Sequence, residues 1–379
     1  MRYLTPDYFD EFSCVAGACE DTCCAGWQIV IDDESMHRYQ MEKPPFKSEL
    51  IRGIHWFQKT FKRDKEGRCA FLDGKNLCDI YANLGENALC KTCRMYPRHV
   101  EEFENVRETT LSLSCPEVAR LLLTFKAPVT FKAWEDEEEE EFEDFDPFLY
   151  SVLLDARDDL IGILQTREWK LHFRAFLCLA IAHDLQVKIS RGEMFSCEAV
   201  LRRYKTENAH AFVKETQEAY LKDEAARYYN SLLNMQTLYE LERLSESWTD
   251  VIISCKTLLL ERGAAYYCEV KDEFDTWVFK NLPLWSIWQE QFLVYFIFTY
   301  FCGAVYDGRV YGKTQMAMFS LGVCEDILCS RWLLNGKMLD GEDVKEIWYR
   351  YSRELEHSDR NLEMLEKIME EEKWIRVRQ

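Results

Sequence analysis

After Pro147 the apolar residues recur at helical intervals. Phe173, Phe176, Leu177, Ala180, Ile181 and Leu185 follow an i, i+3, i+4, i+7 rule and draw a single stripe, which predicts an amphipathic helix and, with the segments around it, a helical bundle. Residues 292–298 are wholly apolar, and the run continues with short pauses to Tyr306. Spanning a bilayer takes about 20 apolar residues, and Gln289, Glu290 and Asp307 flank this run closely. It therefore predicts a buried core helix with Trp285, Trp288 and Tyr295 packed along it. Before residue 147 the regular runs are short. Residues 28–32 form a brief apolar run of strand or extended type. A short helix is expected after it, capped by Asp32 or Asp33 and ended by Pro44-Pro45. A second helix opens at Pro116, where Glu117 suits the dipole and Leu121, Leu122 and Phe125 supply an apolar face.

Between these regions runs the acidic stretch from Trp134 to Asp146. Like charges at that density repel and stay solvated, so residues 126–147 read as an acidic linker. The expected organisation is a cysteine-rich metal-binding domain over 1–125, that linker, and an α-helical domain over 148–379. The fold class is mainly α. At 379 residues and 47% hydrophobic content, the chain has material for real cores.

The chemistry lies in the cysteines. Cys14, Cys19, Cys23 and Cys24 fall within eleven positions; Cys69 and Cys78 follow, then the C-x2-C knuckle Cys90-Cys93, then Cys115 at the start of the Pro116 helix. Residues Met1 to Pro6 carry no apolar run of signal-peptide type, which predicts a cytoplasmic, reducing location. There, clustered thiols point to metal ligation and not to a disulfide framework. Adjacent Cys23 and Cys24 would make a strained bridge, whereas a metal or cluster accepts several thiolates from one loop. Gly17 and Gly26 give that loop positive φ and close backbone approach. At a helix N-terminus Cys115 should have a lowered pKa and favour the ligating thiolate. Cys178, Cys197, Cys255, Cys268, Cys302, Cys324 and Cys329 are dispersed in apolar contexts and read as core thiols.

The net charge of −20 disfavours nucleic acid and anionic membranes as partners and suits a cationic one. Residues 308–314, Gly-Arg-Val-Tyr-Gly-Lys-Thr, place three residues between their glycines where a phosphate-binding loop needs four. They are not a nucleotide site.

The pattern Cys14-x4-Cys19-x3-Cys23-Cys24 with Gly26-Trp27, then Cys69-x8-Cys78, Cys90-Lys-Thr-Cys93-Arg-Met-Tyr-Pro-Arg98 and Leu111-Ser-Leu-Ser-Cys115-Pro-Glu117 resembles the flagellin lysine-N-methylase family. Its N-terminal part also resembles zinc- or iron-chelating domains that end in a Cys-Cys pair. The motifs cover residues 14 to 120. The resemblance implies methyl transfer from S-adenosylmethionine to lysine amines of flagellin, in a protein carrying an iron–sulfur cluster of [4Fe-4S] type, with zinc the alternative metal. Arg94 and Arg98, placed by motif match, would pair with the carboxylate of the methyl donor. No glycine-rich Rossmann turn and no C-x3-C-x2-C run is present, so the donor site and the catalytic residue are not placed by motif, nor is the oligomeric state. The competing reading is a non-catalytic metal module that staples the N-terminal part while the helices bind a partner.

Overall fold

The computed structural model describes residues 1–143 and 145–371; Asp144 of the acidic run and residues 372–379 of the expected helical region lie outside the described residues. The N-terminal part is made of short pieces: strands β1 (Arg2–Pro6), β2 (Ile54–His55) and β3 (Thr60–Phe61), and helices α1 (Asp33–Met41), α2 (Lys47–Gly53), α3 (Asp79–Leu84) and α4 (Lys91–Met95). Then come β4 (Arg98–Phe103), β5 (Val106–Leu111), α5 (Pro116–Thr124) and β6 (Phe131–Glu135). The rest is helical: α6 (Pro147–Leu164), α7 (Leu171–Ser190), α8 (Cys197–Arg203), α9 (Glu207–Lys222), α10 (Glu224–Glu240) and α11 (Glu246–Cys255). It continues through α12 (Ala264–Asn281), α13 (Trp285–Tyr300), α14 (Ala304–Asp307), α15 (Val310–Leu334), α16 (Gly341–Glu356) and α17 (Asp359–Glu371). The chain is thus mainly α.

Local signals act as expected where they are strong. The Asp32 carboxylate accepts the Ser35 amide at 2.9 Å and starts α1. Pro116 occupies the first turn of α5, with Cys115 as the residue before it. Every residue of α13 from Trp288 to Tyr300 is buried, so the apolar run is an interior helix, and none of the described helices is long and apolar enough to cross a membrane. Lys313 lies inside α15 and pairs with Asp307 at 3.0 Å and Glu366 at 2.8 Å, which leaves that motif-like stretch structural.

Two cores divide the described chain. Ile29, Ile31, Tyr39, Leu50, Phe61, Phe71 and Ile80 belong to a small one inside the cysteine-rich part. The large core joins the helices from α5 onward with the four-stranded sheet, whose order is β4-β5-β1-β6. In that sheet β1 runs parallel to β5 (Leu4 opposite Glu108) and antiparallel to β6 (Thr5 opposite Lys132). The sheet docks on the helices through Phe131 stacked on Phe298 at 4.1 Å and Phe103 on Tyr150 at 4.9 Å. A buried ion pair, Glu108 of β5 with Arg157 of α6, locks it there.

The stretch 126–147 is not uniformly loose chain. Its Phe131–Glu135 segment is a strand, because the edge of β1 needs a hydrogen-bonding partner and Phe131 and Trp134 bring apolar anchors, Trp134 stacking on Tyr3 at 5.3 Å. The glutamates from Glu137 to Glu141 are exposed.

Candidate metal centre and the contacts that hold it

The loop carrying the first four thiols is pinned by backbone and not by regular structure. Gly17 passes so close to the turn at residues 73–77 that a Cβ would come within 2.8 Å of the Lys75 carbonyl oxygen. Gly26 takes φ +87°, which a side-chain-bearing residue rarely adopts, and its amide reaches the Gly67 carbonyl at 3.2 Å. The Cys69 amide donates to the Cys24 carbonyl at 2.7 Å, fastening the first cysteine loop to the second. In the second loop the Asp73 carboxylate accepts the amides of Lys75 and Leu77 at 2.7 and 2.8 Å. Cys78 and Cys90 stand at the N-termini of α3 and α4, and Cys93 lies on α4.

All nine thiols are free; Cys14 is exposed, Cys90 and Cys115 are buried, and the others are half-buried. They influence one another in two sets. Cys14, Cys19, Cys23 and Cys115 are electrostatic neighbours, as are Cys24, Cys69, Cys78, Cys90 and Cys93. The adjacent pair Cys23-Cys24 belongs to both sides. Among the described residues no three His, Cys, Asp or Glu side chains are drawn together as a metal-holding group. The donor chemistry nevertheless fits a thiophilic metal: the thiols are uncrosslinked, come from four chain segments, and act on one another electrostatically.

Their protonation follows from hydrogen bonding and burial. Within Cys23-Cys24, the shared hydrogen bond favours the thiolate on Cys24 and holds the proton on Cys23; Cys90 and Cys93 divide in the same way, with Cys90 lowered and Cys93 raised. Burial pushes Cys19 and Cys78 up, Cys69 to about 12 and Cys115 to about 11. The expected lowering of Cys115 is therefore corrected: the α5 amides do pull it down, but desolvation outweighs them. A bound cation would reverse that balance.

What sequence reasoning missed is the seat of this loop on the helical half. From α16, Arg353 donates to the Asp21 carbonyl at 2.7 Å and to the Ser114 carbonyl at 2.9 Å, and pairs with the Asp21 carboxylate at 2.6 Å. Lys345 pairs with Glu20 at 2.9 Å. Trp27, whose indole donates to the Cys23 carbonyl at 2.8 Å, lies 4.3 Å from the His357 ring and 5.8 Å from Tyr96. Behind them His357 and Tyr96 both reach the Ser114 hydroxyl, at 2.9 and 3.1 Å, and Glu356 accepts from Ser112 at 2.6 Å and Tyr295 at 2.8 Å. Burial and the Arg353 charge push His357 down to about 3, so it is a neutral, weak base. The available sequence signal was slight: polar residues set into the aromatic stripe of α16, Arg353 standing 239 residues from Ser114 and 332 from Asp21.

Arg94 and Arg98 are both exposed and stand on different elements, Arg94 on α4 and Arg98 at the start of β4. Arg98 lies over the rings of Phe9 and Phe12 at 6.0 and 5.9 Å.

Residues 157–379, more than half of the chain, match the family model described as "FliB lysine N-methylase C-terminal domain", and residues 13–115 match one described as "Putative zinc- or iron-chelating domain". Over 135 residues, 32% of this chain, it is 32% identical to the flagellar biosynthetic protein FliU of Salmonella muenchen, covering 79% of that protein. Over 135 residues it is equally similar to the lysine-N-methylases of Salmonella typhimurium and Salmonella choleraesuis, of which the match spans only 33%. No solved structure matches.

Proposed function

This chain belongs to the FliB lysine N-methylase family, and from that premise we propose that it methylates lysine side chains of flagellin, with S-adenosylmethionine as donor and a cysteine-held [4Fe-4S] cluster in its N-terminal part. The observation that supports this most is that both matched regions meet in one seat, where Arg353, Lys345 and His357 of the FliB-type helical region grip the Asp21, Glu20 and Trp27 side of the cysteine loop. Cys14, Cys19, Cys23 and Cys115 would form one donor set of four, and Cys24, Cys69, Cys78, Cys90 and Cys93 would supply the other from five, a cubane cluster or a zinc taking four thiols. When bound, such a centre supplies a Lewis-acidic, electron-buffering group next to the helical half. Arg94 and Arg98, both exposed, would pair with the donor carboxylate.

Lysine attacks a sulfonium methyl only as the neutral amine, so its proton, held with a pKa of about 10.4, must leave first. The new N–CH3 bond forms as the S–CH3 bond breaks, and S-adenosylhomocysteine departs. His357 is not suited to take the lysine proton: a group titrating at about 3 is far too weak a base. Its place is structural, beneath Trp27. The acidic surface suits a cationic substrate.

A second reading, a metal staple without catalysis, draws on the small size of the N-terminal core. Incubating anaerobically purified, metal-replete protein with methyl-labelled S-adenosylmethionine and flagellin separates the two. Label appearing on flagellin lysines is expected; label staying wholly in the donor sinks the methylase reading.

A further inference from the structure

Away from the cysteine loops, a cavity of about 150 Å3 lies between α7, α10, α15 and α17. Its walls are mostly aromatic and apolar: Phe176 and Tyr220, in ring contact at 5.5 Å, line it together with Phe319 and Met369, and Asn230 adds a polar group. Among the described residues no lysine, arginine or carboxylate lines it, and exposed His172 is one of its lining residues. Into this space α15 sets Gln315, which is 4% exposed and whose amide oxygen and nitrogen both lack a hydrogen-bond partner among the described residues. Tyr311, one turn earlier on α15, comes near enough for Gln315 to offset part of the rise that burial gives its hydroxyl, but outside hydrogen-bond geometry. Asn234 of α10, also buried, lines the same space beside Gly322. A buried amide with neither atom satisfied is costly, and the interior of a helical bundle offers cheaper residues for that position.

We propose that this cavity binds an adenine base, with the Gln315 carboxamide pairing to its donor–acceptor edge between aromatic walls. The carboxamide oxygen accepts from the exocyclic amine while its NH2 donates to N7, the pairing that glutamine makes with adenine elsewhere. Phe176, Tyr220 and Phe319 offer faces on which a base stacks. The volume suits one small ring system, and the neutral lining suits an uncharged one. Two molecules present this chemistry, a free adenine nucleoside and the adenosyl group of the methyl donor. Only the second depends on the methylase reading above.

Calorimetric titration of the full chain, purified anaerobically, with S-adenosylhomocysteine, adenosine and inosine tests the site. Inosine carries an acceptor where adenine carries its amine. Both adenine compounds should bind, and inosine should bind at least about tenfold more weakly. Gln315→Leu should weaken the adenine compounds about ten- to a hundredfold while leaving the melting temperature equal or higher, because it removes the unpartnered amide. Tighter binding of S-adenosylhomocysteine than of adenosine assigns the site to the donor; equal binding assigns it to a free nucleoside. Equal binding of adenosine and inosine, no binding of any of the three, or unchanged binding by Gln315→Leu overturns the proposal. Methyl transfer is read separately. Transfer with an unchanged donor KM in Gln315→Leu removes the donor from the cavity and leaves the methylase, whereas Gln315-dependent adenosine binding in a chain that transfers no methyl group keeps the cavity and removes the methylase.

Discussion

Cys178, Cys197, Cys255, Cys268, Cys302, Cys324 and Cys329 are all buried in the helical half, where desolvation is the largest cause that holds their protons on. Of the nine cysteines of the N-terminal half only Cys90 and Cys115 are buried; they act on one another electrostatically, and two pairs, Cys23-Cys24 and Cys90-Cys93, each split into a thiolate-prone and a proton-holding partner. One residue type thus serves as a core-filling hydrophobe in one half and as a donor in the other. The difference lies in what surrounds the sulfur. A large core tolerates an inert thiol, whereas thiols gathered beside a small core repel one another once ionised and are in want of a cation.

The largest effect should come from taking that cation away. Protein purified without oxygen should be brown, with iron and acid-labile sulfide in comparable amounts, and Cys23→Ala or Cys93→Ala should abolish both. Stripping the centre should cost the N-terminal half on the order of 10 kcal/mol of apparent stability. Limited proteolysis should then cut within residues 13–95 while the helical fragment persists. Colourless protein with stoichiometric zinc and no sulfide would replace the cluster by a zinc staple, and unchanged protease resistance after stripping would show that the small core stands by itself.

The second effect falls on the other side of the comparison. Arg157 and Glu108 are each 2% exposed, and Arg157 also lies 4.7 Å from the centre of the Phe298 ring. Arg157→Met leaves the Glu108 carboxylate buried without its cation and should cost about 3–5 kcal/mol in urea unfolding of the helical half. Adding Glu108→Gln should restore part of that loss. Metal content should not change in either variant. A parallel loss of iron or zinc would mean that the two halves unfold as one.

How much of this was legible in sequence differs between the halves for the same reason. The buried α13, the stripe on α7 and the caps at Asp32 and Pro116 are local signals, carried by residues within a few positions of one another. Metal-type cysteine spacing is local too, apart from Cys115. The sheet was not legible. Strand β1 pairs in parallel with residues about a hundred positions away, β4 and β5 mix charged with apolar positions, and β6 lies at the start of an acidic run that otherwise stays exposed. Nor was the seat of the cysteine loop: Arg353 and Asp21 stand 332 positions apart. Gln315 gave no signal, since an amide within an apolar helix acquires meaning only from the space in front of it.

Adjacent residues on α16 allow a finer test, because they face different halves. Glu354 turns toward the helical side, where its carboxylate accepts the amides of Leu244 and Ser245 at 2.7 and 2.8 Å, and burial raises it to about 7. Unfolded, it ionises near its ordinary value of about 4.3. Between those values the unfolded chain has released a proton that the folded chain retains, so stability falls as pH rises from about 4.3 to 7, by up to about 4 kcal/mol. Glu354→Gln should flatten that part of the stability–pH curve. A slope identical to that of the unsubstituted protein would assign the titration to another group.

Arg353, one residue earlier, turns toward the cysteine loop, and its substitution should have the smallest effect. Its guanidinium makes three contacts at once, to the Asp21 carboxylate, the Asp21 carbonyl and the Ser114 carbonyl. Lysine keeps the charge but lacks the planar fork, so Arg353→Lys should retain the ion pair and lose the carbonyl contacts, at about 1 kcal/mol. Such a cost increases the population in which the loop has lifted from α16 about fivefold. In metal-free protein the thiols of Cys19 and Cys23 should react with a thiol reagent faster by about that factor, while Cys69 and Cys78, anchored through the Cys24 and Asp73 contacts, keep their rates. If all four thiols accelerate together, the cysteine region moves as one body, and its two donor sets are not separately held.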